Sequence, residues 1–379
     1  MRFSGFDDEW IEEKLGNLVQ IKSGECTKNL ITGIDNSIPY FKVEQLNNSL
    51  KYQIKTPYFI NDKSKIVNKG SIIFPKRGAA ILLNKIRILN QDSFMDTNLM
   101  TLTPNNKLYN EFLYYFIYKE NLSKIADTTS IPQLNNKHIK PYPINLPSFE
   151  EQLKISKFIS SVDKKVSLLS QNLEIFNDFK KGLLQQIFTQ KLRFDFDEIR
   201  LRSISKINKG KQLNKEHMLE IGKFYVLNGG QEPSGYTDSW NTSENTITIS
   251  EGGNSCGFVN FNTEKFWSGG HCYYLNKLSE NIDVYYLYSY LKFIEPQIMR
   301  LRVGSGLPNI QKGDIENIKI KILPKKEQIK ISNLLLSTDN KISSIESQKD
   351  SFEIFKKGLL QQMFVVQLIL SLLQNKKHI

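Results

Sequence analysis

The chain has only three cysteines, Cys26, Cys256 and Cys272, and no two stand at a Cys-x-x-Cys spacing. That excludes a disulfide framework and a cysteine zinc site, and makes a reducing cytoplasm the expected compartment. The four histidines (His138, His217, His271, His378) are scattered. They leave neither a metal cluster nor a base for a serine or cysteine nucleophile. No Gly-x-x-x-x-Gly-Lys-Ser/Thr loop cradles a phosphate, and no carboxylates cluster as a two-metal nuclease needs. There is also no Asn/Asp-Pro-Pro-aromatic loop of the kind that holds a flipped base. Long apolar runs are missing too. The longest, 364–373, is interrupted by Gln367 and Ser371 and is too short to span a bilayer. The N-terminus turns acidic at Asp7-Asp8-Glu9 without the apolar stretch of a signal peptide. A soluble binder without catalytic or metal residues, and with no membrane partner, is the expectation.

What is present first is positive charge. The formal balance is +12 over 379 residues, which favours a polyanionic partner. It divides as +5 over 1–149, +1 over 150–188, +2 over 189–323 and +4 over 324–379. No basic tail exists, so folded surfaces must meet the partner.

The sequence then occurs twice. Lys180-Lys181-Gly182-Leu183-Leu184-Gln185-Gln186 returns letter for letter as Lys356-Lys357-Gly358-Leu359-Leu360-Gln361-Gln362, 176 residues on. At the same offset Glu151-Gln152 matches Glu327-Gln328, Pro132 matches Pro308, Phe176 matches Phe352 and Phe179 matches Phe355. A period this long means duplication of a domain plus a helix, not a solenoid.

Each copy ends in a helical segment. In the first, Ile155, Ile159, Val162, Val166, Leu169, Leu173 and Phe176 fall at 4-3-4-3 steps, a coiled-coil seam. The second repeats the register with Ile331, Leu335, Thr338, Ile342, Ile345, Lys349 and Phe352. The phase then shifts to Phe179, Leu183, Ile187 and to Phe355, Leu359, Met363. Seams this narrow are expected to face each other. Gly182 and Gly358, each costing about 1 kcal/mol inside a helix, are expected at a close backbone approach, between the helices or to a partner. The candidates for the helix-pair or partner interface are Gln152, Ile155, Ile159, Val162, Val166, Leu169, Gly182, Gln328, Ile331, Leu335, Ile342, Ile345 and Gly358.

The segments before the helices share an outline. Residues 70–74 and 245–249 read as buried strands followed by the loops Pro75-Lys76-Arg77-Gly78-Ala79-Ala80 and Ser250-Glu251-Gly252-Gly253-Asn254-Ser255. A strand and an aromatic-rich helix follow in each, the helices at 111–116 and 283–288. Each copy is therefore a mixed α/β (α+β) domain followed by a long helix, with scaffold positions kept and loop contents changed. Lys76 and Arg77 suit phosphates or guanine edges, and Asn254 and Ser255 offer amide and hydroxyl groups. Gln231 and Tyr236 lie in a glycine-rich stretch, where Lys42 and Gln45 occupy the corresponding place in the first copy. These eight are the candidate DNA contacts.

With these motifs in place, the chain resembles the specificity subunit of a type I restriction–modification system. The resemblance is carried by Arg2-Phe3…Phe6…Trp10…Lys14-Leu15-Gly16, Ser130-Ile131-Pro132-Gln133-Leu134, Pro147 through Gln152, the duplicated Lys-Lys-Gly-Leu-Leu-Gln-Gln-x-Phe, Leu192-Arg193-Phe194 and Gly306-Leu307-Pro308-Asn309-Ile310. It implies two target-recognition domains held apart by an antiparallel pair of long helices, with approximate twofold symmetry. The boundaries expected are 1–146 and 190–323 for the domains, with 147–189 and 324–379 for the helices and the C-terminal tail. It further implies that each domain reads one half of a split site on double-stranded DNA. Two methyltransferase subunits would dock along the helices, and motor–nuclease subunits would join them for restriction. S-adenosylmethionine, ATP and magnesium would belong to those partners, and none to this chain. A helix of about 38 residues spans roughly 57 Å, enough to set half-sites about one turn of B-DNA apart. One departure is the apolar stretch after Phe364, which the first copy lacks. The competing readings are a stand-alone site-specific endonuclease with an unrecognised metal site and a scaffold that does not bind DNA.

Overall fold

The computed structural model describes residues 2–27, 30–32, 37–127, 131–189, 197–304, 306 and 308–364. Ser130, residues 192–194, Leu307 and the stretch after Phe364 lie outside the described residues. The chain divides into two compact units: residues 1–168 with 349–379, and residues 169–348. The cut passes through both long helices, Phe149–Phe188 and Lys325–Phe364, so each unit contains the start of one helix and the end of the other.

In the first unit, the run Ile72–Pro75 is apolar throughout and buried at every position, as a strand covered on both faces must be. It lies inside a five-stranded sheet in the order Val19–Ser23, Leu99–Pro104, Ile72–Pro75, Arg87–Leu89, Tyr52–Gln53. Beside it, Ile38–Phe41 pairs antiparallel with Phe59–Ile60 and parallel with Phe94–Met95. The helix Asn110–Glu120 buries Phe112 through Ile117 without a break, and a two-stranded ladder, Ile11–Lys14 with Pro143–Leu146, leads into the long helix.

The second unit repeats the plan. Its four-stranded sheet runs Lys206–Lys209, Cys272–Asn276, Thr246–Ser250, Val259–Asn262, beside a three-stranded sheet of Gly235–Thr237, Phe224–Leu227 and Trp267–Ser268. The helix Val284–Phe293 follows, and Asp197–Arg200 with Lys319–Ile322 forms the ladder before the second long helix.

Gln152 and Gln328 prove to be staples rather than helix-pair contacts. Both are fully buried. The Gln152 amide oxygen accepts from the Tyr109 N–H (2.8 Å), and its nitrogen donates to the Lys107 and Pro147 carbonyls. The Gln328 amide does the same with the Asp283 N–H (2.9 Å) and the Asn281 and Leu323 carbonyls. Each amide satisfies the first turn of the aromatic helix and the lead-in of its own long helix, groups that would be costly to bury unpaired. Glu151 and Glu327 match in sequence but not in role. Glu151 is buried, holding Arg2 through two bonds (3.0 and 2.8 Å) and the Trp10 indole (3.1 Å), while Glu327 pairs with Lys330 one turn away.

The seam residues do two jobs. Ile155, Ile159 and Val162 belong to the first domain's core, together with Leu359, Leu360, Met363 and Phe364 from the end of the other long helix. Ile331 and Leu335 likewise share the second core with Ile187 and Phe188. Seam-to-seam contact alone therefore does not account for these positions; each helix start packs on its own domain and against the other helix's end. Leu169, Ile342 and Ile345 are buried, and Val166 is half-buried. Two ion pairs bind the helices at equivalent places, Lys356–Asp163 (2.6 Å) in the first unit and Lys180–Asp339 (2.5 Å) in the second.

The phase shift holds for Ile187, Leu359 and Met363 but not for Phe179 and Phe355, which are about half exposed. Gly182 and Gly358 do not mark a close approach between the helices either. A Cβ built at each would meet no atom within 4 Å among the described residues. The reason is common to both corrections: past Phe176 and Phe352 the buried face widens toward the domain, so the opposite face is left open.

Candidate nucleic-acid interface

Backbone hydrogen bonds gather the candidate loops at one end of each domain. In the first domain, Asp96 N–H donates to the Phe41 carbonyl (3.0 Å), Lys76 N–H to Asn98 (2.8 Å), Leu134 N–H to Lys76 (2.9 Å) and Gly78 N–H to Pro132 (2.9 Å). In the second, Gly269 N–H donates to Leu227 (2.9 Å), Glu251 N–H to His271 (2.9 Å), Ile310 N–H to Glu251 (2.9 Å) and Gly253 N–H to Pro308 (3.0 Å). Bridges Arg77–Gln133 and Gly252–Asn309 complete the match. The two loops thus share one backbone bonding pattern, and Gly78 and Gly253 both take a positive φ, +79° and +73°, that glycine adopts without strain. The register equates Lys76 with Glu251 and Arg77 with Gly252.

The side chains at this shared place differ in kind. Arg77 is exposed and has no side-chain partner among the described residues. Lys76 is half-buried; burial first, then repulsion from Arg77, draws its ammonium below the usual lysine range, against the pull of Asp96. Asp96 lies near Lys42 as well; burial raises its carboxyl while Lys42 opposes the rise. Lys42 stands 3.8 Å above the Tyr58 ring, a cation–π contact that orients it.

In the second domain, Glu251 is buried and pairs with Lys209 (2.6 Å), takes the Tyr273 hydroxyl (3.1 Å) and lies 3.5 Å from His271. Asn254 is exposed and Ser255 half-buried beside it, and Gln231 is exposed in the turn between Phe224–Leu227 and Gly235–Thr237. The Ser250 hydroxyl donates to the Gly229 carbonyl, tying that turn to the loop. Tyr236 is set apart from the loop tips on the outer strand, in register with Tyr225.

One expected contact is corrected. Gln45 is 5 % exposed; its amide oxygen accepts from the Lys42 N–H (2.8 Å), and its nitrogen donates to Glu44 (3.0 Å). It closes the turn that presents Lys42 and is too buried to reach a base. Conversely, Glu251, Lys209, His271 and Gln133 stand at this place although none is among the eight candidate contacts. Lys209 and Glu251 stand 42 residues apart, and only strand pairing brings them together. Among the described residues, no group of three or more His, Cys, Asp or Glu side chains could hold a metal ion, and no helix is long and apolar enough to cross a membrane.

Comparison with known proteins decides what this scaffold is. The family profile for the type I restriction modification DNA specificity domain matches twice, over residues 7–175 and 194–353. The chain belongs to that family. The two copies of its domain correspond to the two repeats. A putative type I restriction enzyme specificity subunit of Methanocaldococcus jannaschii is 24 % identical over 407 residues, covering 93 % of this chain and 92 % of that protein. A putative type I specificity subunit of Mycoplasma genitalium is also 24 % identical, over 371 residues and 94 % of each chain. The crystal structure of a type I restriction–modification S subunit from M. genitalium superposes with a TM-score of 0.71 at 20 % identity, covering 96 % of this chain and 97 % of that one. The mixed α/β architecture with two domains and a packed pair of long helices is therefore that of the specificity family.

Proposed function

We propose that this chain selects the DNA site for a type I restriction–modification complex and performs no chemistry itself. Each domain reads one half of a bipartite sequence on double-stranded DNA, the helical pair sets the spacing, and two methyltransferase subunits dock along it. Motor–nuclease subunits join for restriction, and S-adenosylmethionine, ATP and magnesium enter with the partners. The observation that carries this reading is the pair of loops at 76–78 and 251–253, identical in backbone bonding and different in side chains. Two readers of two unlike half-sites need that combination, because phosphate contacts position a protein while base-edge contacts specify. The readers proposed are Lys42, Lys76 and Arg77 in the first domain and Gln231, Tyr236, Asn254 and Ser255 in the second. The half-exposed Phe179 and Phe355, with Gly182 and Gly358 beside them, are proposed for partner docking. Domain limits of 1–146 and 190–323 fit this division of labour.

The test is a genome-wide map of methylated adenine in cells with the gene intact and with it deleted. Deletion should erase methylation at one split motif and nowhere else. An unchanged map, or magnesium-dependent DNA cleavage by the purified chain alone, would sink the proposal. Binding by the assembled complex should also weaken with salt, with a log–log slope near −5 if about six phosphates are contacted. A slope near zero would count against DNA as the partner.

A further inference from the structure

We infer that Arg77 reads a guanine in the half-site of the first domain. The inference rests on the reading of the chain as a DNA-selecting subunit, and it separates two tasks that an exposed cation near DNA could perform: holding a phosphate or reading a base.

Three observations favour the base. The backbone under Arg77 is fixed on both sides, by Leu134 N–H to the Lys76 carbonyl and by Gly78 N–H to the Pro132 carbonyl. A guanidinium presented from such a loop keeps its planar fork pre-organised for two parallel bonds, the pattern that guanine O6 and N7 accept in the major groove. The second observation is the company Arg77 keeps. Leu82, Leu83 and Ile131 are 55 %, 64 % and 67 % exposed; the two leucines end the turn that starts at Gly78, and Ile131 precedes the proline that bonds to it. Apolar side chains gain nothing from a phosphate ridge, but on a groove floor they meet base edges and thymine methyls. Third, the equivalent loop of the other domain carries Gly252, Gly253 and Asn254 and no cation, while its buried acid, Glu251, is matched by Lys209. If this position held a phosphate through a cation in both domains, a lysine or arginine would stand at both, yet the second has Gly252 there. A base contact peculiar to one half-site needs it at one.

The experiment maps methylated adenine genome-wide in cells that carry the full-length chain with its partner subunits, comparing the native chain with Arg77→Ala and Arg77→Lys. With Arg77→Ala, one guanine of one half-site should become degenerate, the preference for it falling about tenfold to a hundredfold. The other half-site and the gap should not change. Lysine should not restore the preference, because it keeps the charge but lacks the fork. An unaltered motif with methylation lowered evenly at all sites and rescued by lysine would overturn the inference and make Arg77 a phosphate contact. A motif and level unchanged in both variants would overturn it as well, and so would complete loss of methylation in both. None of these results touches the broader proposal, because the native chain still has to support a split motif for that proposal to stand.

Discussion

Replacing residues 1–146 with the recognition domain of another type I specificity subunit rewrites one half of the methylated motif and leaves the other half and the gap as they were. This is the expected result of a methylation map in cells carrying the chimaera with its partner subunits. The argument comes from the cores. The first domain's apolar core draws on residues 10–162 and 359–364, and the second on 187–335. Among the described residues, none of 1–146 belongs to the second core. The specificity change should be large, because each mismatched base pair costs about 1–3 kcal/mol and several change at once. The structure also says what a graft must keep. The incoming domain has to supply the seat for Phe364, here Phe112 and Phe116 with ring centroids 5.0 and 6.3 Å away. It must also supply the Arg2 and Trp10 groups that satisfy the buried Glu151. A graft lacking these would leave a buried carboxylate unpaired, a loss of several kcal/mol. If a well-folded chimaera altered both halves of the motif, the assignment of one reader to each half-site would be wrong.

Much of this was legible in the residues because it is written in periodicity. The seam from Ile155 to Phe176, the strand segments 70–74 and 245–249, and the repeated Lys-Lys-Gly-Leu-Leu-Gln-Gln each encode a local structure, and each is found in place. What periodicity does not carry is which element receives which face. Leu359, Leu360, Met363 and Phe364 occupy a face broader than a seam, and the domain that receives them begins more than two hundred residues earlier. The candidate interface shows the same limit. Exposed polar residues in loops could be named, but a buried amide such as Gln45 looks the same in sequence as an exposed one. The tyrosine contacts to the long helices are a further case. Tyr115 donates to Asp163 (2.7 Å) and Tyr285 donates to Asp339. The two aspartates are equivalent by the repeat, yet the tyrosines come from different turns of equivalent helices, counted from the bonds of Gln152 to Tyr109 and Gln328 to Asp283. Burial and the neighbouring carboxylate raise both phenols above the usual tyrosine range, so they remain donors at any physiological pH. The duplication kept the contact while changing the residue that makes it, and an alignment letter by letter cannot find that.

The same crossing of helix ends makes a stability prediction that distinguishes the two units. Phe364 is 7 % exposed, packed on Phe112 and Phe116 in the first unit, and Phe188 is 1 % exposed, packed on Tyr286, Tyr290 and Phe293 in the second. Truncating a buried phenylalanine to alanine costs about 3–5 kcal/mol, from lost transfer energy and the cavity left behind. The lower figure, about 3 kcal/mol, is equivalent to about a hundredfold in the opening equilibrium. Phe364→Ala should therefore speed amide hydrogen exchange about a hundredfold in Leu99–Pro104, while Cys272–Asn276 keeps its native rate. Phe188→Ala should do the reverse. Phe355→Ala supplies the control: it stands just before the second copy of the repeated motif but is 47 % exposed, so neither sheet should respond by more than the few tenths of a kcal/mol typical of surface changes. If Phe364→Ala loosened both sheets equally, the two units would unfold as one. The end of each long helix would then belong to a common core rather than to the domain it closes.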